Sequence, residues 1–419
     1  MISEIAARLV ERKKPLDDWW IARSRGVPEP FTVSMDIRHS GPKIAPVDIN
    51  CFPAGFSLLC PEDFDRGVRA FRETLSRRLP GARSLALVPE FHTVNVGYIE
   101  NLYALQQMLA QAGYPTTVVS LHPEQTVDRV PVELPEGRTL VLERGRVLDG
   151  KLASSSGIPD AVILNHDLLG GPPPELLQIS QPILPKTGLG WHQRSKHRSF
   201  EIYNQLAREF ADVTGVEPFS LTVETRLVTG INFLTGTGMD QVAAEADRMV
   251  ADLTRVYEAR KTGYHPYVVV KSDAGTYGMS VMEAESGDEL LRLNRKQRNS
   301  MHVTKGRAPV TSVVIQEGIP TADRLNEFVI EPVLYRIGHR SIGAFFRSHG
   351  TRSARENLNA RGAQFQKICL EPLSTGEIVS ATPILTPESL AVLDWIGNLA
   401  TLTVGLEEQE LENTQENSN

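Results

Sequence analysis

The sequence predicts an α/β protein in two parts: an amino-terminal α/β domain over residues 1–185 and a second α/β domain over 186–406, with 407–419 as a tail. Three observations lead there. Residues 84–121 read strand, helix, strand, the order of a parallel α/β unit. A second set of strands at 268–282 and 312–349 comes after long helical stretches. And 419 residues exceed what one small core needs.

From the start, residues 3–13 repeat apolar positions at helical spacing and read as an amphipathic docking helix. "PVDINCFPAGF" (46–56) is dense in Pro and Gly yet carries Asp48 and Asn50 beside Phe52 and Phe56, so it reads as an ordered loop. Residues 62–79 are expected to be helical. "SLALVPEFH" (84–92) is an apolar strand ending in Glu90 and His92, and the helix after it is closed by Gly113 before the strand "PTTVVSL". The alternating run "TLVLERGRVLDGKL" (139–152) predicts a hairpin at the edge of this unit. "DAVILNHDLLGGPPPELL" gives a buried strand at 161–165, a polar loop and a helix opened by proline. Ligands gather at the carboxyl ends of strands in open α/β sheets. Glu90, His92, Asn165 and Asp167 stand at such ends, as substrate contacts or as caps and loop residues.

The segment from Gly190 is basic, with His192, Arg194, Lys196, His197 and Arg198 ahead of a helix. Cations there oppose the helix dipole unless an anion sits nearby; a solvated basic face is the other reading. A long helix at 239–261 leads to "VVVKSDAGTYGMSVM" (268–282), whose valines end in Lys271 before Gly275 and Gly278. Its residue types allow a hairpin turn or a phosphate-holding loop. A polar helical segment (286–298), the strand "SVVIQEGI" (312–319), two strands in 328–350 and a helix from 387 to 406 complete the pattern. The tail "EEQELENTQENSN" is acidic and polar, and expected to fray.

Composition bounds the function. Charged residues make up 23% and hydrophobic ones 41%, and the net charge of -7 opposes broad nucleic-acid binding. No membrane-spanning run or signal peptide is apparent, so a cytoplasmic protein is expected. Cys51, Cys60 and Cys369 show no paired spacing and are expected to be reduced thiols. The sequence has no GxxxxGK[ST], no full dinucleotide fingerprint in "TGTGMDQVAA", no kinase signature and no HExxH.

What remains is an order of parts: a strand ending in Lys271, a glycine loop, a strand ending in Gln316-Glu317-Gly318, then Glu331, Arg347 and "RENLNARG" (355–362). Lysine neutralises phosphates, loop glycines admit backbone N–H groups, and carboxylates or amides hold magnesium. This order resembles the ATP-grasp superfamily. "PVDINCFPAGF", "QPILPKTGLGWHQRSK", "VVKSDAGTYGM", "VIQEGI", "EPVLYRIG" and "ENLNARG" together resemble the proteobacterial type of glutamate–cysteine ligase, from about residue 30 to 405.

The resemblance implies an amino-terminal substrate domain followed by an ATP-grasp-like domain, and a ligase that uses ATP and Mg2+ to join L-glutamate to L-cysteine through an acyl phosphate. It implies Lys271, Gly275, Tyr277 and Gly278 over the phosphates and Gln316 and Glu317 at the adenine. It also implies Arg347, Asn359 and Arg361 at the reacting centre, Asp48, Asn50 and Asn357 at the substrates, and Glu331 at magnesium. Partners are then small molecules, without nucleic acid or membrane, and a homo-oligomer is open. One departure stands: glutathione-synthetase-like ATP-grasp enzymes bear a Glu-x-Asn pair on a last strand, and none comes after the final helix here. The metal ligands are Glu331, Asn357 and Asn359, or come from elsewhere.

Overall fold

The computed structural model describes residues 1–91, 95–275, 280–302, 309–369 and 386–416. Two helices, α1 (Ile2–Glu11) and α2 (Lys13–Ser24), lead into strands β1 (Thr32–His39) and β2 (Ile44–Asn50), and then α3 (Pro61–Arg78). A parallel unit comes next: β3 (Leu85–Pro89), α4 (Val96–Gln111), β4 (Thr116–Ser120), β5 (Arg129–Glu133), β6 (Thr139–Arg144), β7 (Arg146–Leu148), β8 (Lys151–Ala153), β9 (Ala161–Asn165) and β10 (Ile183–Leu184). The chain continues with α5 (Lys196–Thr214), β11 (Thr225–Thr229), α6 (Met239–Ala259), β12 (Val268–Ser272), β13 (Val281–Ala284), α7 (Gly287–Leu291), α8 (Arg295–His302) and β14 (Ser312–Glu317). It closes with β15 (Arg324–Leu325), β16 (Phe328–Ile337), β17 (Arg340–His349), β18 (Ala363–Ile368) and α9 (Pro387–Glu416).

Local chemistry accounts for the helix ends. Pro61 opens α3, with Glu62 and Asp63 in its first turn and Arg77 and Arg78 in its last, each sign on the favourable side of the dipole. Asn95 caps α4 by accepting from the N–H of Tyr98, and Ser195 caps α5 by accepting from Arg198. β3 and β9 are buried along their whole length, as apolar runs inside a covered parallel sheet must be.

The strands form three main sheets. The parallel unit runs β10-β9-β3-β4-β6-β5, and a four-stranded sheet runs β11-β14-β12-β13. The large antiparallel sheet runs β18-β17-β16-β1-β2, with β15 on β16. β1 pairs with a strand nearly 300 residues later (Met35 opposite Leu334), so the sheets do not respect the boundary at 185. α9 lies against α1 and α5 and beside β1 and β2, burying Val392, Leu393, Ile396 and Leu399.

Several expectations need correction. "PVDIN" is not loop but the end of β2, and the loop begins at Cys51. The hairpin at 139–152 is β7 with β8, since β6 pairs instead with β4 and β5. The proline-opened segment after residue 172 is a single 3₁₀ turn, and 286–298 holds two short helices. The tail does not fray at 407: α9 runs on to Glu416, because Glu407 and Glu408 are buried against Arg194 and Arg78. α9 also contains a stretch long and apolar enough to cross a bilayer, although 67% of that window is buried against the rest of the protein, as in a core helix.

Cys60 and Cys369 are joined in a disulfide, not reduced, while Cys51 is free and buried. Cys60 stands at the start of α3 and Cys369 just past β18, with Cα atoms 5.7 Å apart across 309 residues of sequence, a proximity only the tertiary fold creates. Thiol titration of the denatured, unreduced chain should find one free thiol and, after reduction, three; three before reduction would remove the pairing.

Candidate active site

Two cavities meet at the centre of the molecule. The first lies between the four-stranded sheet and the β1–β2 edge of the large sheet, closed on one side by residues 355–359. The second lies between the large sheet and the carboxyl ends of β3 and β9, where Glu90 and Asp167 face it with the first turn of α4. Asp36, Asp48 and Asn359 line both.

β12, the residues after it to Gly275, and Val281 of β13 form one wall of the first cavity. β12 and β13 pair antiparallel, Lys271 opposite Val281, and Gly275 continues at a φ of 114° that favours glycine. Tyr277 and Gly278 lie outside the described residues. Lys271 is buried and donates to the carbonyl of Val47 (2.6 Å) and to Oε1 of Gln316 (2.8 Å). Burial lowers its pKa to about 8, with Asp48 partly opposing that effect. Because the Lys271 contact holds the Gln316 amide oxygen, the amide nitrogen Nε2 points elsewhere, and it is buried without a partner among the described residues. A buried donor in a cavity wall needs an acceptor.

Glu317 behaves differently from its expected role. Its carboxylate is taken by Lys43 Nζ (2.6 and 2.7 Å), Tyr257 Oη (2.7 Å) and the N–H of Glu224 (3.1 Å). The N–H groups of Glu317 and Gly318 are also used, by Glu224 and Tyr267 carbonyls. Glu317 lines the cavity, but its polar atoms chiefly anchor β14. Gly318 is required because a Cβ would overlap the Tyr267 ring.

A buried chain of alternating charge crosses beneath the junction. Arg347 on β17 donates to Asp36 (2.6 Å) and to Oε1 of Glu331 (2.8 Å), its cross-strand neighbour. Arg38 donates to Oε2 of Glu331 (3.0 Å) and to the carbonyls of Ile319, Arg355 and Glu356. Burial alone would raise the Glu331 pKa, but Arg38 and Arg347 hold it below the usual range; Asp36 is pushed up, chiefly by burial. Both oxygens of Glu331 are thus engaged by arginine, which fits a structural anion better than a metal ligand. The Nε of Arg347 is buried without a partner among the described residues.

Lys196, Asp36, Arg38 and Glu283 also line the first cavity and were not singled out as site residues from the sequence. Lys196 donates to Asp48 at 2.6 Å and lies 4.1 Å from the Trp191 ring centre. Burial would raise the Asp48 pKa, yet Lys196 and Lys271 keep it low. The anions at the start of α5 are the protein's own. Asp273 accepts from Ser195 Oγ (3.0 Å) and the N–H of His197 (2.9 Å), while Asp48 holds Lys196. A usable signal existed: "SMDIRH" places Asp36 and Arg38 on one face of an otherwise buried strand.

The remaining expected residues divide. Asn357 lines the first cavity, and its Oδ1 accepts from the N–H of Asn359 (2.9 Å). Asn50 and Arg347 line the second, where Asn50 also bridges to the N–H of Phe52 (3.1 Å). Arg361 is exposed and lines neither cavity; its carbonyl is 3.0 Å from His349 Nε2. Of the strand-end group, Asn165 is structural, holding the Pro53 carbonyl and Asn101, and His92 lies outside the described residues.

A family model described as glutamate-cysteine ligase matches residues 6–408. Among solved structures, a "putative gamma-glutamylcysteine synthetase" from Methylobacillus flagellatus is 33% identical, over 98% of this chain and 96% of that chain, with a TM-score of 0.88. D-alanyl-alanine synthetase A from Vibrio cholerae is 11% identical over 76% of this chain and 81% of that one, with a TM-score of 0.37. No curated protein matches.

Proposed function

The chain belongs to the glutamate–cysteine ligase family, and from that premise we propose that the first cavity takes ATP, the second takes the two amino acids, and bond formation occurs where they join. The enzyme makes an amide from the γ-carboxylate of L-glutamate and the amine of L-cysteine. That condensation is uphill in water, so the carboxylate oxygen first attacks the γ-phosphorus of ATP, releasing ADP and leaving an acyl phosphate. The cysteine amine then adds to the acyl carbon, and the tetrahedral intermediate expels phosphate.

The observation that carries this reading is the pair of cavities sharing Asp36, Asp48 and Asn359, since ligation needs nucleotide and amino acids in contact but separately held. Lys271 and Lys196 supply positive charge to the phosphates, and Gln316 Nε2 is a waiting donor in the same wall. Arg347, whose Nε has no partner among the described residues, lines the amino-acid side and stabilises the acyl phosphate and the oxyanion formed from it. Asp36 and Asp48, which line both cavities, receive the ammonium of cysteine in this reading, and it loses a proton before attack.

Magnesium would neutralise the triphosphate when bound. Glu283 fits it: the carboxylate accepts the N–H of Asn357 (3.0 Å), and burial raises its pKa, the state of an anion short of a cation. Glu283 with the side-chain oxygen of Asn359 would hold the ion, in preference to Glu331.

The test is ATP hydrolysis and amide formation by the purified chain with magnesium, omitting one amino acid at a time. Phosphate release that requires both glutamate and cysteine, with the dipeptide as product, is expected. Consumption of ATP with glutamate alone and no amide would make the protein a kinase, and turnover with a different pair would change the substrates while keeping the chemistry.

A further inference from the structure

β2 is an edge strand of the large sheet, and cationic side chains close its outward carbonyls where another strand would normally lie. Val47 O accepts from Lys271 (2.6 Å), and Ile49 O, two residues on, accepts from Arg194 Nη1 (2.7 Å). Asp48 between them is held by Lys196. Lys271 and Lys196 are cavity residues, but Arg194 lines neither cavity. Its other nitrogens grip Glu407 of α9: Nε at 3.2 and 3.1 Å, Nη2 at 2.9 Å. Glu407 also accepts from Ser199 Oγ on α5. Both side chains are nearly sealed from water, at 2% and 6% exposure.

We infer that the Glu407–Arg194 pair is a positioning device for the amino-acid side of the reaction, resting on the proposal that the second cavity takes the amino acids. The guanidinium is a rigid fork, so its distance to Glu407 dictates where Ile49 O lies. Ile49 sits between Asp48, which lines both cavities, and Asn50, which lines the second. The strand that presents these groups is thereby set by α5 and by the acidic end of α9. A buried ion pair is a poor source of stability compared with apolar packing; what it supplies here is a fixed height for a strand that, among the described residues, pairs with β1 alone. The basic stretch at 190–198, unexplained by phosphate binding alone, acquires a purpose.

The test uses full-length Glu407→Gln, Glu407→Asp and Arg194→Lys beside wild type, with two readouts. Hydrogen exchange over residues 44–52 reports strand position without any reaction. Steady-state kinetics and ATP binding report the two cavities separately. Glu407→Gln is expected to speed exchange in this segment and to lower kcat/KM for the amino acids about ten- to hundredfold, with ATP affinity within about twofold of wild type; Glu407→Asp should recover part of the loss. Unchanged exchange and unchanged amino-acid kcat/KM in Glu407→Gln would overturn the inference, as would an equal loss of ATP affinity. If Glu407→Gln does not fold, Arg194→Lys, which keeps the charge but not the fork, decides by the same readouts. Wild type that forms no amide from glutamate and cysteine would sink the ligase reading alone, since exchange in β2 still judges this one.

Discussion

Lys271→Ala should abolish amide formation, by about 10³-fold or more, while the protein stays folded. On the proposed placement of ATP, the activity loss comes from removing a buried cation beside the phosphoryl group being transferred, where water cannot take its place. The folded state should tolerate the change because the ammonium is itself unwelcome there. Its pKa falls from 10.5 to about 8 on burial, which corresponds to roughly 3 kcal/mol against folding at neutral pH. Alanine relieves that penalty but leaves Val47 O and Gln316 Oε1 without their donor, at about 1–3 kcal/mol each. The terms oppose each other, and a native circular dichroism spectrum with a modest shift in melting temperature is expected.

The pH dependence has a definite sign. Between pH 8 and 10.5 the unfolded chain holds the Lys271 proton and the folded chain does not, so wild-type stability gains from this group as pH rises through that window. Lys271→Ala should lack that gain. Phosphate beside Nζ raises the pKa again, so ATP binding near pH 8 to 9 should draw in a proton, measurable by calorimetry in two buffers of different ionisation enthalpy. Turnover within tenfold of wild type in a folded Lys271→Ala protein would remove the phosphate role.

Arg347→Ala should damage both activity and stability. It strips Asp36 of the guanidinium it shares with Glu331, and breaking such a buried pair costs about 3–5 kcal/mol. Glu331 keeps Arg38; Asp36, already pushed up by burial, then takes a proton in the folded state. Its folded pKa exceeds the unfolded one, so the deficit relative to wild type should shrink as pH falls from neutral toward 4. A fall in kcat of about 10²- to 10³-fold is expected. Arg347→Lys should recover some stability and little activity, since one ammonium cannot reproduce a planar fork that reaches Asp36 and Glu331 together. Full activity in Arg347→Lys would show that guanidinium geometry is irrelevant at the reacting centre.

Much of the fold is legible in residue order. Runs such as "LALVP" and "AVILN" read as strands covered on both faces, as they are in the fold, and Pro61, Asn95 and Ser195 mark helix starts through the donors they spare or satisfy. Strand-ending Lys271 stands out for a similar reason, because an ammonium closing a buried run needs an anion or an exit to water, whereas its partners Val47 O and Gln316 Oε1 come from the fold. The end of α9 is not, since acidic, polar residues resemble a frayed tail until their buried arginines are known. Glu331 resembles a metal ligand in sequence because its two arginines stand on other strands.

By itself, the sequence determined many of the element types, among them the covered strands and the long helices, and, through its quoted motifs, the family. These depend on neighbours within a few residues or on matched strings. Only the tertiary structure decided which charges meet: Lys43 with Glu317 across 274 residues, Arg38 with Glu331 across 293, Lys196 with Asp48 across 148 and Arg194 with Glu407 across 213. It also decided that β2 is an edge strand completed by cations. Coulombic and hydrogen-bond energies depend on distances of a few ångströms in a medium of low dielectric, and sequence separation carries no information about either.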